Sequence, residues 1–485
     1  MSWLARGGLA VSLGLTVLIP LLGPSAMVPP LPGPAGQPPY SLGLAPSGHL
    51  VVALAAVILA AGTAGLGAGL SAVRRGWAPD PRRLLLLGAS VAALLAFLPP
   101  MGSSDHLNYA AYGRLLVLGH DPYATSPAQL PGDPVVGAVE EWGTVTSVYG
   151  PVATGLHGLA ALVGSDSVRL TVFVLAVVNA IAFTGTGLLL HRMAAGDPDR
   201  QRRAALLWTL NPLLIYHLVA GMHVDTLAVV FAVAALALLG RSLIGSGVMI
   251  GLGMAVKLPV GLVSLGPAWE LRRAPRRLLT VAVAAAVTVA GLYALAGPYV
   301  LDQVGAASKS VSKATPWHLV ANDPLLGWAM PRTWVQIGSF ALLAVLAALL
   351  LRAMPAPYPD GVAARVAVAL IVAWLFAAPY ALPWYDGLAL ALLALVPWSA
   401  LDAFVVARLA VLSFAYLPAR QADQPADLAW LVTVVRSQVV PLLLTALLIG
   451  LILWAVRAGA RARRPSAPAE PRRSAPSPGS PHPSR

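Results

Sequence analysis

The feature that most constrains this chain is a succession of apolar runs, each about as long as a helix that crosses a bilayer. Leu50–Leu70, Leu278–Ala296 and Thr333–Leu351 contain no charged residue, and a membrane span needs about 20 apolar residues. Only 11% of the chain is charged, whereas a soluble domain carries about 25%. We therefore predict an all-α integral membrane protein. The chain has 0 cysteines, which excludes disulfides, thiolate metal sites and a cysteine nucleophile.

Clusters of arginine set the predicted direction of each span. They lie beside apolar runs at 74–83, 200–203 and 272–277, and again from Arg457 onward. Such clusters mark cytoplasmic ends, so the net charge of +13 reflects topology, and no nucleic-acid binding is expected. The pattern predicts about 12 transmembrane helices with both termini in the cytoplasm. The first run, Trp3–Gly23, is predicted to be an uncleaved signal anchor, and a cleaved signal peptide is the alternative.

Two apolar segments do not fit as single spans. Val152–Val163 is too short to cross and is predicted to be a helix at the outer membrane interface. Residues 245–269 have arginines on both sides and are interrupted by Lys257 and Pro259. A single crossing would place one arginine cluster outside, so we predict a re-entrant hairpin with Lys257 at its tip.

The remaining segments complete a single polytopic membrane domain over residues 1–460. One of its spans is predicted at Ala204–Val219. Outer loops are predicted at 100–151, 297–331 and Pro418–Ser437. The basic Pro/Ser-rich tail, 461–485, is predicted to be disordered and cytoplasmic.

The longest polar interruption runs from Ser103 to Pro151, within the predicted outer loop 100–151, here called the polar loop. Its carboxylates alternate with aromatic residues, a set that can grip and activate a sugar hydroxyl. Asp105 follows a span closely, so it could accept a hydroxyl proton at head-group level, or it could be a solvated helix cap. Glu140, Glu141 and Trp142 could bind an acceptor sugar, with the indole stacked on the ring; the alternative is a solvated loop.

Cationic and imidazole groups supply further candidates. Lys257 lies within an apolar run and needs a counter-charge, either a neighbouring carboxylate or the phosphate of a lipid donor. Arg114 could pair with that phosphate or with a local carboxylate. His223 and Asp225, two residues apart in an outer turn, could orient each other or a hydroxyl. Because no further ligand is obvious, substrate binding is favoured there over a metal. His318, in the second outer loop, is a weaker phosphate candidate.

Several sequence blocks, taken in order, resemble those of bacterial polyprenyl-phosphate-mannose-dependent alpha-1,6-mannosyltransferases. They are SDHLNYAAYGRLLVLGHDPY, EEW with SVYGP, NPLLIYHLVAGMHVDTLAV, AVKLPVGL and, more loosely, PWY. These actinobacterial enzymes elongate the mannan core of lipomannan and lipoarabinomannan. The resemblance implies a GT-C fold, which is a polytopic helical bundle whose first large outer loop carries the catalytic Asp.

The resemblance also implies roles for individual residues. Asp105 matches the catalytic Asp of the family, and Tyr149 begins the YGP motif that opens the interfacial helix. His223 and Asp225 match a His-Asn-acidic turn in which Val224 here replaces Asn. The residues and the resemblance together give these substrate-binding candidates: Tyr109, Tyr112, Asp121, Tyr123, Glu141, Trp142, Tyr149, His223, Asp225, His318 and Tyr385.

The implied reaction is an inverting mannosyl transfer on the extracytoplasmic face of the plasma membrane. A hydroxyl of a mannan or glycolipid acceptor, deprotonated by Asp105, attacks the lipid donor polyprenyl-phosphate-mannose to form an alpha-1,6 linkage. Arg114 and Lys257 are expected to stabilise the departing phosphate; no metal or cofactor is expected. Two alternatives remain. One is a GT-C transferase of another sugar or linkage, such as an alpha-1,2-mannosyl or arabinosyl transferase. The other is a 12-helix secondary transporter.

Overall fold

The regular secondary structure of the described residues is helical. The computed structural model describes residues 2–302, 305, 310–321, 330–358, 361–420 and 422–462. Within those ranges the only strand-like pairing is an isolated antiparallel bridge between Ser25 and Val28. The predicted all-α class is confirmed. The tail predicted to be disordered lies, beyond Ala462, outside the described residues.

Eighteen helices are labelled here in chain order. Helices α1–α9 are Ser2–Leu22, Gly48–Arg74, Pro81–Ala96, Asp105–Val117, Pro151–Gly164, Val168–Met193, Pro198–Ala204, Pro212–Leu214 and Asp225–Leu238. Helices α10–α18 are Leu243–Met254, Leu265–Glu270, Pro275–Ala296, Pro316–Ala321, Arg332–Ala353, Val362–Ala377, Asp386–Leu393, Leu401–Ala415 and Val440–Ala462. Shorter 3₁₀ and π segments join several of them, among them Leu258–Ser264, Pro383–Tyr385 and Leu431–Val439.

Length and apolar composition identify a helical membrane protein. Six described helices could cross a bilayer: α1, α2, α6, α12, α14 and the run Ala426–Arg461, which includes most of α18. Four shorter apolar helices, α5, α9, α10 and α15, contribute to the same bundle. The larger count of about 12 spans remains a prediction.

Small residues allow the first two helices to pack closely. A Cβ atom on Gly8 would lie 2.7 Å from the Ala61 carbonyl oxygen, and one on Gly65 would lie 2.7 Å from the Leu9 nitrogen. Helices in lipid associate through close van der Waals packing, which small residues permit. The glycines therefore let α1 and α2 cross backbone to backbone.

The predicted span at Ala204–Val219 is not one continuous helix, because the chain breaks near its middle. A π turn, Ala205–Thr209, precedes the break, and α8 begins at Pro212 after it. Proline cannot donate a helical hydrogen bond. The Asn211 side chain instead caps α8 by accepting from the nitrogens of Leu213 and Leu214.

The predicted outer loop Pro418–Ser437 is wrong from Ala426 onward. The chain there enters a continuous helical run, Ala426–Arg461, which continues directly into α18. Within this run Arg436 donates from Nε to the Ala415 carbonyl at 2.6 Å. The Thr433 and Ser437 hydroxyls donate to carbonyls one turn earlier in the same run.

The segment 245–269 reverses direction at Lys257. Helix α10 runs antiparallel to α9, with the Ser246 hydroxyl donating to the Ala235 carbonyl at 2.8 Å. The returning limb, Leu258–Ser264 followed by α11, reaches the start of α15, where the Ala363 nitrogen donates to Glu270 at 2.8 Å. The two limbs form a hairpin whose tip lies beside the first residue of α9.

A buried ion pair ties α7 to α17 at the end of the bundle that carries the arginine clusters. Arg203 and Asp402 are 1% and 5% exposed. The guanidinium donates twice to the carboxylate, at 2.6 and 3.0 Å, and once to the Val396 carbonyl at 2.5 Å. The pair joins the α16–α17 connection to the end of α7.

We predict that Asp402→Ala lowers the free energy of unfolding by about 3–5 kcal/mol, because it leaves the buried Arg203 guanidinium without its counter-charge. Denaturant unfolding of the detergent-solubilised protein measures the loss. The double variant Arg203→Met/Asp402→Leu is the control and should recover most of it, since no buried charge then remains. Equal stability of Asp402→Ala and wild type would contradict a buried pair.

Candidate active site

Asp105 opens α4, in surroundings unlike those of a solvated cap. Its side chain is 16% exposed, and its backbone nitrogen donates to the Ser103 hydroxyl at 3.1 Å. The helix that follows is buried along most of its length, including His106, Asn108 and Tyr109. The polar loop thus folds into the protein, with the carboxylate at the edge of a buried polar region.

Two backbone contacts hold the polar loop in this position. A Cβ atom on Gly113 would lie 2.1 Å from the His157 carbonyl oxygen, so α4 and α5 touch backbone to backbone. The YGP motif meets the hairpin: Gly150 donates from its nitrogen to the Val256 carbonyl at 3.1 Å. A Cβ atom on Gly150 would lie 2.2 Å from the Ala255 carbonyl oxygen. Glycine is therefore required where the loop joins the hairpin tip.

His223 reaches the Asp105 carboxylate from the turn before α9. Its Nε2 atom lies 3.6 Å from the Asp105 Oδ2 atom. Its Nδ1 atom bonds the His217 carbonyl at 2.6 Å, and its ring stacks on Trp384 with centroids 3.5 Å apart. The imidazole is 1% exposed, so its position and plane are set by protein contacts alone.

Lys257, at the hairpin tip, has Asp225 as its counter-charge. Its Nζ atom donates to both oxygens of Asp225, at 2.7 and 2.8 Å. The ammonium also lies 4.1 Å from the centre of the Tyr385 ring, a cation–π distance. A small apolar cavity lined also by Trp374 and Leu388 adjoins the three side chains.

Burial and neighbouring charges alter the acidity of Asp105. Burial raises the pKa of its carboxyl to about 6; the Lys257 ammonium opposes the rise, and Glu141 and Asp225 add to it. For His223 the direction is opposite: burial lowers the pKa of its imidazole to about 3. The site therefore holds a carboxylate that protonates easily beside an imidazole that does not.

Tyrosines form much of the wall around Asp105. Tyr109 meets Tyr149 edge to face at 5.1 Å and stacks on His157 at 5.0 Å. Tyr112 donates to the Val145 carbonyl at 2.9 Å, and Tyr123 donates to Thr154 at 2.8 Å. Aromatic rings with a polar edge suit the alternating apolar and hydroxyl faces of a sugar.

Other predicted residues lie apart from Asp105. Arg114 is nine residues further along α4, roughly 14 Å by helical rise, and it pairs with Asp133 at 2.9 Å and Asp166 at 2.5 Å. Of the two partners predicted for Arg114, a phosphate or a local carboxylate, the structure shows the carboxylate. The cation near Asp105 is Lys257. Asp121 accepts from the Tyr123 nitrogen at 2.8 Å and shapes the loop.

The remaining candidates differ in exposure. Trp142 is 58% exposed at a positive φ of 62°, next to the half-buried Glu141. His318 is half-buried in α13, where its backbone nitrogen donates to the Thr315 carbonyl. Across the described ranges no group of three or more His, Asp or Glu side chains is arranged to hold a metal ion.

An arginine that sequence reasoning missed locks the polar loop in place. Arg420 is 2% exposed and holds both Glu140 oxygens, with contacts of 2.5 to 2.8 Å. A further N–H donates to the Ser25 carbonyl at 2.5 Å. Glu140 is thus a structural partner rather than a solvated loop residue. The available signal was an arginine in a predicted outer loop, where the positive-inside rule disfavours one.

Comparison with known proteins identifies similarity over the first half of the chain. Residues 15–273 match the family model described as Alpha-(1->6)-mannopyranosyltransferase, N-terminal domain. Alpha-(1->6)-mannopyranosyltransferase A of Corynebacterium glutamicum is 28% identical over 164 residues, 34% of each chain. Protein B of that organism is 29% identical over 185 residues, 38% of this chain and 28% of the relative. Alpha-(1->6)-mannopyranosyltransferase A of Mycobacterium tuberculosis is 30% identical over 169 residues, which are 34% of this chain and 32% of the relative. The chain spans about a third of the length of these relatives.

We predict that Glu140→Ala speeds backbone hydrogen exchange across residues 100–151 by on the order of 100-fold, because it leaves the buried Arg420 guanidinium unpaired. Mass-spectrometric exchange on the full chain measures this. The matched control is Asp427→Ala, which removes an exposed ion pair with His49 and should leave exchange of the polar loop unchanged. Unchanged exchange in Glu140→Ala would contradict the lock.

Proposed function

The chain belongs to the alpha-(1->6)-mannopyranosyltransferase family, and from that premise we propose that it transfers a mannosyl residue from a polyprenyl-phosphate donor to a mannan-type acceptor. The observation that carries the proposal is the convergence of Asp105, Lys257 and a tyrosine-lined wall in one partly buried site. The polar loop, the turn before α9 and the hairpin tip all fall within residues 15–273. The alpha-1,6 linkage is proposed because the relatives are described as alpha-(1->6)-mannopyranosyltransferases.

The reaction is a single displacement at the anomeric carbon. The acceptor hydroxyl loses its proton to Asp105 as its oxygen bonds to that carbon. The bond between the anomeric carbon and the phosphate oxygen breaks, and its electron pair leaves with the polyprenyl phosphate. One displacement inverts the configuration, so a beta-linked donor yields an alpha-mannoside.

Asp105 suits the role of base because of its surroundings. A catalytic base works best when its pKa lies near the working pH. Burial raises the pKa of this carboxyl to about 6, which keeps it ionised at neutral pH yet more basic than a solvated carboxylate. The carboxylate can therefore accept the hydroxyl proton during attack.

Lys257 suits the role of phosphate partner. Loss of the sugar leaves a phosphate with additional negative charge, and a fixed cation in dry surroundings stabilises it strongly. The ammonium is held between Asp225 and Tyr385 at the tip of a hairpin, beside an apolar cavity. A phosphate there would share the ammonium with Asp225, while the lipid tail stays in the bilayer.

The distribution of charge along individual helices supports an active site on the extracytoplasmic face. Helix α9 begins with Asp225 and is followed by Arg241, and α10 runs from beside Arg241 to Lys257. Helix α3 starts beside Arg82 and ends shortly before Asp105. Arginine-rich ends are cytoplasmic, so the site lies at the opposite, outer end of these helices.

The two alternative functions differ in what the site must do. A GT-C transferase of another sugar or linkage would use the same base and phosphate cation, so only the product distinguishes it. A transporter would carry its substrate site at mid-membrane between repeats. The position of Asp105 at the start of α4, shortly after α3 ends, together with membership of the family, favours a transferase.

We predict that Asp105→Asn lowers mannosyl transfer by about 10²–10⁴-fold, because the amide cannot accept the hydroxyl proton. Purified protein in nanodiscs, radiolabelled polyprenyl-phosphate-mannose and short mannose acceptors provide the assay, followed by linkage analysis of the product. Asp427→Asn changes an exposed carboxylate paired with His49 and should retain wild-type turnover. Near-normal transfer by Asp105→Asn would overturn the assignment. A product with another linkage would replace alpha-1,6 transfer with the alternative.

We predict that the double variant Lys257→Met/Asp225→Asn raises the KM for the lipid donor about tenfold or more, because a charge-assisted contact with phosphate is lost. Changing both residues avoids leaving Asp225 as an unpaired buried charge. Initial rates at varied donor and acceptor concentrations separate the two KM values. Arg241→Met, at the far end of α9, is the control and should change neither. A change confined to the acceptor KM would contradict the phosphate role.

A further inference from the structure

The imidazole of His223 has only one tautomer compatible with its contacts. Its Nδ1 atom lies 2.6 Å from the His217 carbonyl oxygen, which can only accept, so Nδ1 carries the proton. In the neutral ring the other nitrogen, Nε2, then presents a lone pair. Stacking on Trp384 at 3.5 Å fixes the plane in which that lone pair points.

That lone pair faces the Asp105 carboxylate. The Nε2 atom is fully buried, has no hydrogen-bond partner, and lies 3.6 Å from the Asp105 Oδ2 atom. An ionised carboxylate and a neutral Nε2 are both acceptors, so no hydrogen bond forms between them. A single proton on Asp105 would supply the missing donor and would satisfy both groups.

We propose that His223 is a positioning residue that accepts a hydrogen bond from Asp105 at the moment Asp105 takes the proton of the acceptor hydroxyl. The inference rests on the proposed function. The hydroxyl O–H bond breaks, its proton joins a carboxylate oxygen, and the new Asp105 O–H donates to His223 Nε2. The proton stays on Asp105, and no charge moves to the imidazole.

Two features keep the proton on the carboxyl. Burial lowers the pKa of His223, and the Lys257 ammonium lowers it further, so a cationic ring is disfavoured. Burial has the opposite effect on the Asp105 carboxyl, whose protonated form it favours. Asp105 is thus the final proton holder, and His223 makes that state more stable.

The hydrogen bond matters because it is absent before reaction and present afterwards. Interactions that strengthen between ground state and transition state raise the rate, whereas uniform ones do not. A bond that stabilises only the protonated carboxyl also raises the pKa of Asp105. The His223 lone pair therefore makes Asp105 a stronger base without placing a charge in the site.

Other titratable groups lie near the Asp105 carboxyl, and a pH titration must distinguish their ionisation from that of Asp105. They come from the polar loop, the turn before α9, the hairpin tip and the C-terminal half. The groups are Tyr109, Tyr112, Glu141, Tyr149, His223, Asp225, Lys257, Tyr380, Tyr385 and Tyr416. Of these, His223 is within 4.0 Å of an Asp105 oxygen as an ion-pair contact.

The sign of the expected pH effect follows directly. Transfer needs ionised Asp105, so activity is present above its pKa and is lost as pH falls through about 6. His223→Phe keeps a ring on Trp384 but removes the acceptor for the Asp105 proton. The pKa of Asp105 should fall, the acidic limb of kcat/KM should move to lower pH by about half a unit or more, and the plateau rate should fall about tenfold.

Two measurements test the proposal on the full chain in nanodiscs. The first is the pH profile of kcat/KM. The second is an infrared titration of the Asp105 carboxyl band, assigned by difference against Asp105→Asn, which needs no substrate. His157→Phe is the matched control: this buried histidine stacks on Tyr109, and its replacement should leave the limb in place. His223→Gln offers an amide oxygen as substitute acceptor and should move the limb less than His223→Phe.

The outcomes separate the inference from the proposed function. A lower Asp105 pKa in His223→Phe, with His223→Gln intermediate and His157→Phe unchanged, supports it. An unchanged pKa, or equal shifts in both His223 variants, overturns it. If His223→Phe does not fold, His223→Gln against wild type decides, since a hydrogen-bonded carboxyl absorbs at lower frequency. Absence of mannosyl transfer in wild type would instead refute the proposed function, while the infrared titration would still report on the pair.

Discussion

A charge withdrawn from water needs an opposite charge beside it, and this requirement organises the described part of the bundle. Lys257 and Asp225 pair where the hairpin tip meets α9, and Arg420 and Glu140 pair where the polar loop meets its neighbours. Asp105 differs. Within the described ranges no lysine or arginine lies within ion-pair distance of it, and the neighbour at that distance is His223, whose pKa burial lowers. That exception concerns the one carboxylate to which proton transfer is assigned.

The site is completed by parts of the chain that are distant in sequence. The family match ends at residue 273, yet the ring under His223 is Trp384, the ring beside Lys257 is Tyr385, and the partner of Glu140 is Arg420. The N-terminal half therefore supplies the groups proposed to react, and the C-terminal half adds contacts that orient them. Orientation is what turns a carboxylate near a hydroxyl into an effective base.

The sequence predicted local structure correctly where a residue type can be accommodated in lipid in only one way. An unpaired lysine beside a proline inside an apolar run predicted the break and reversal at Lys257, and a short apolar stretch predicted a separate helix at α5. Prediction failed where a polar residue or a proline is compatible with more than one local structure. Pro212 broke a predicted span, and the segment from Ala426 proved helical. Arg114 found local carboxylates, a choice that spacing alone could not make.

What the sequence by itself determined is the class of protein, the approximate ends of its long helices and the identity of Asp105 as the first candidate. Hydropathy, arginine placement and local motifs carry that information, because each depends on residues close together in the chain. Only the tertiary structure decided the partners: Asp225 for Lys257, His223 for Asp105 and Arg420 for Glu140. Those choices depend on distances between segments up to 280 residues apart, and no local pattern encodes such distances.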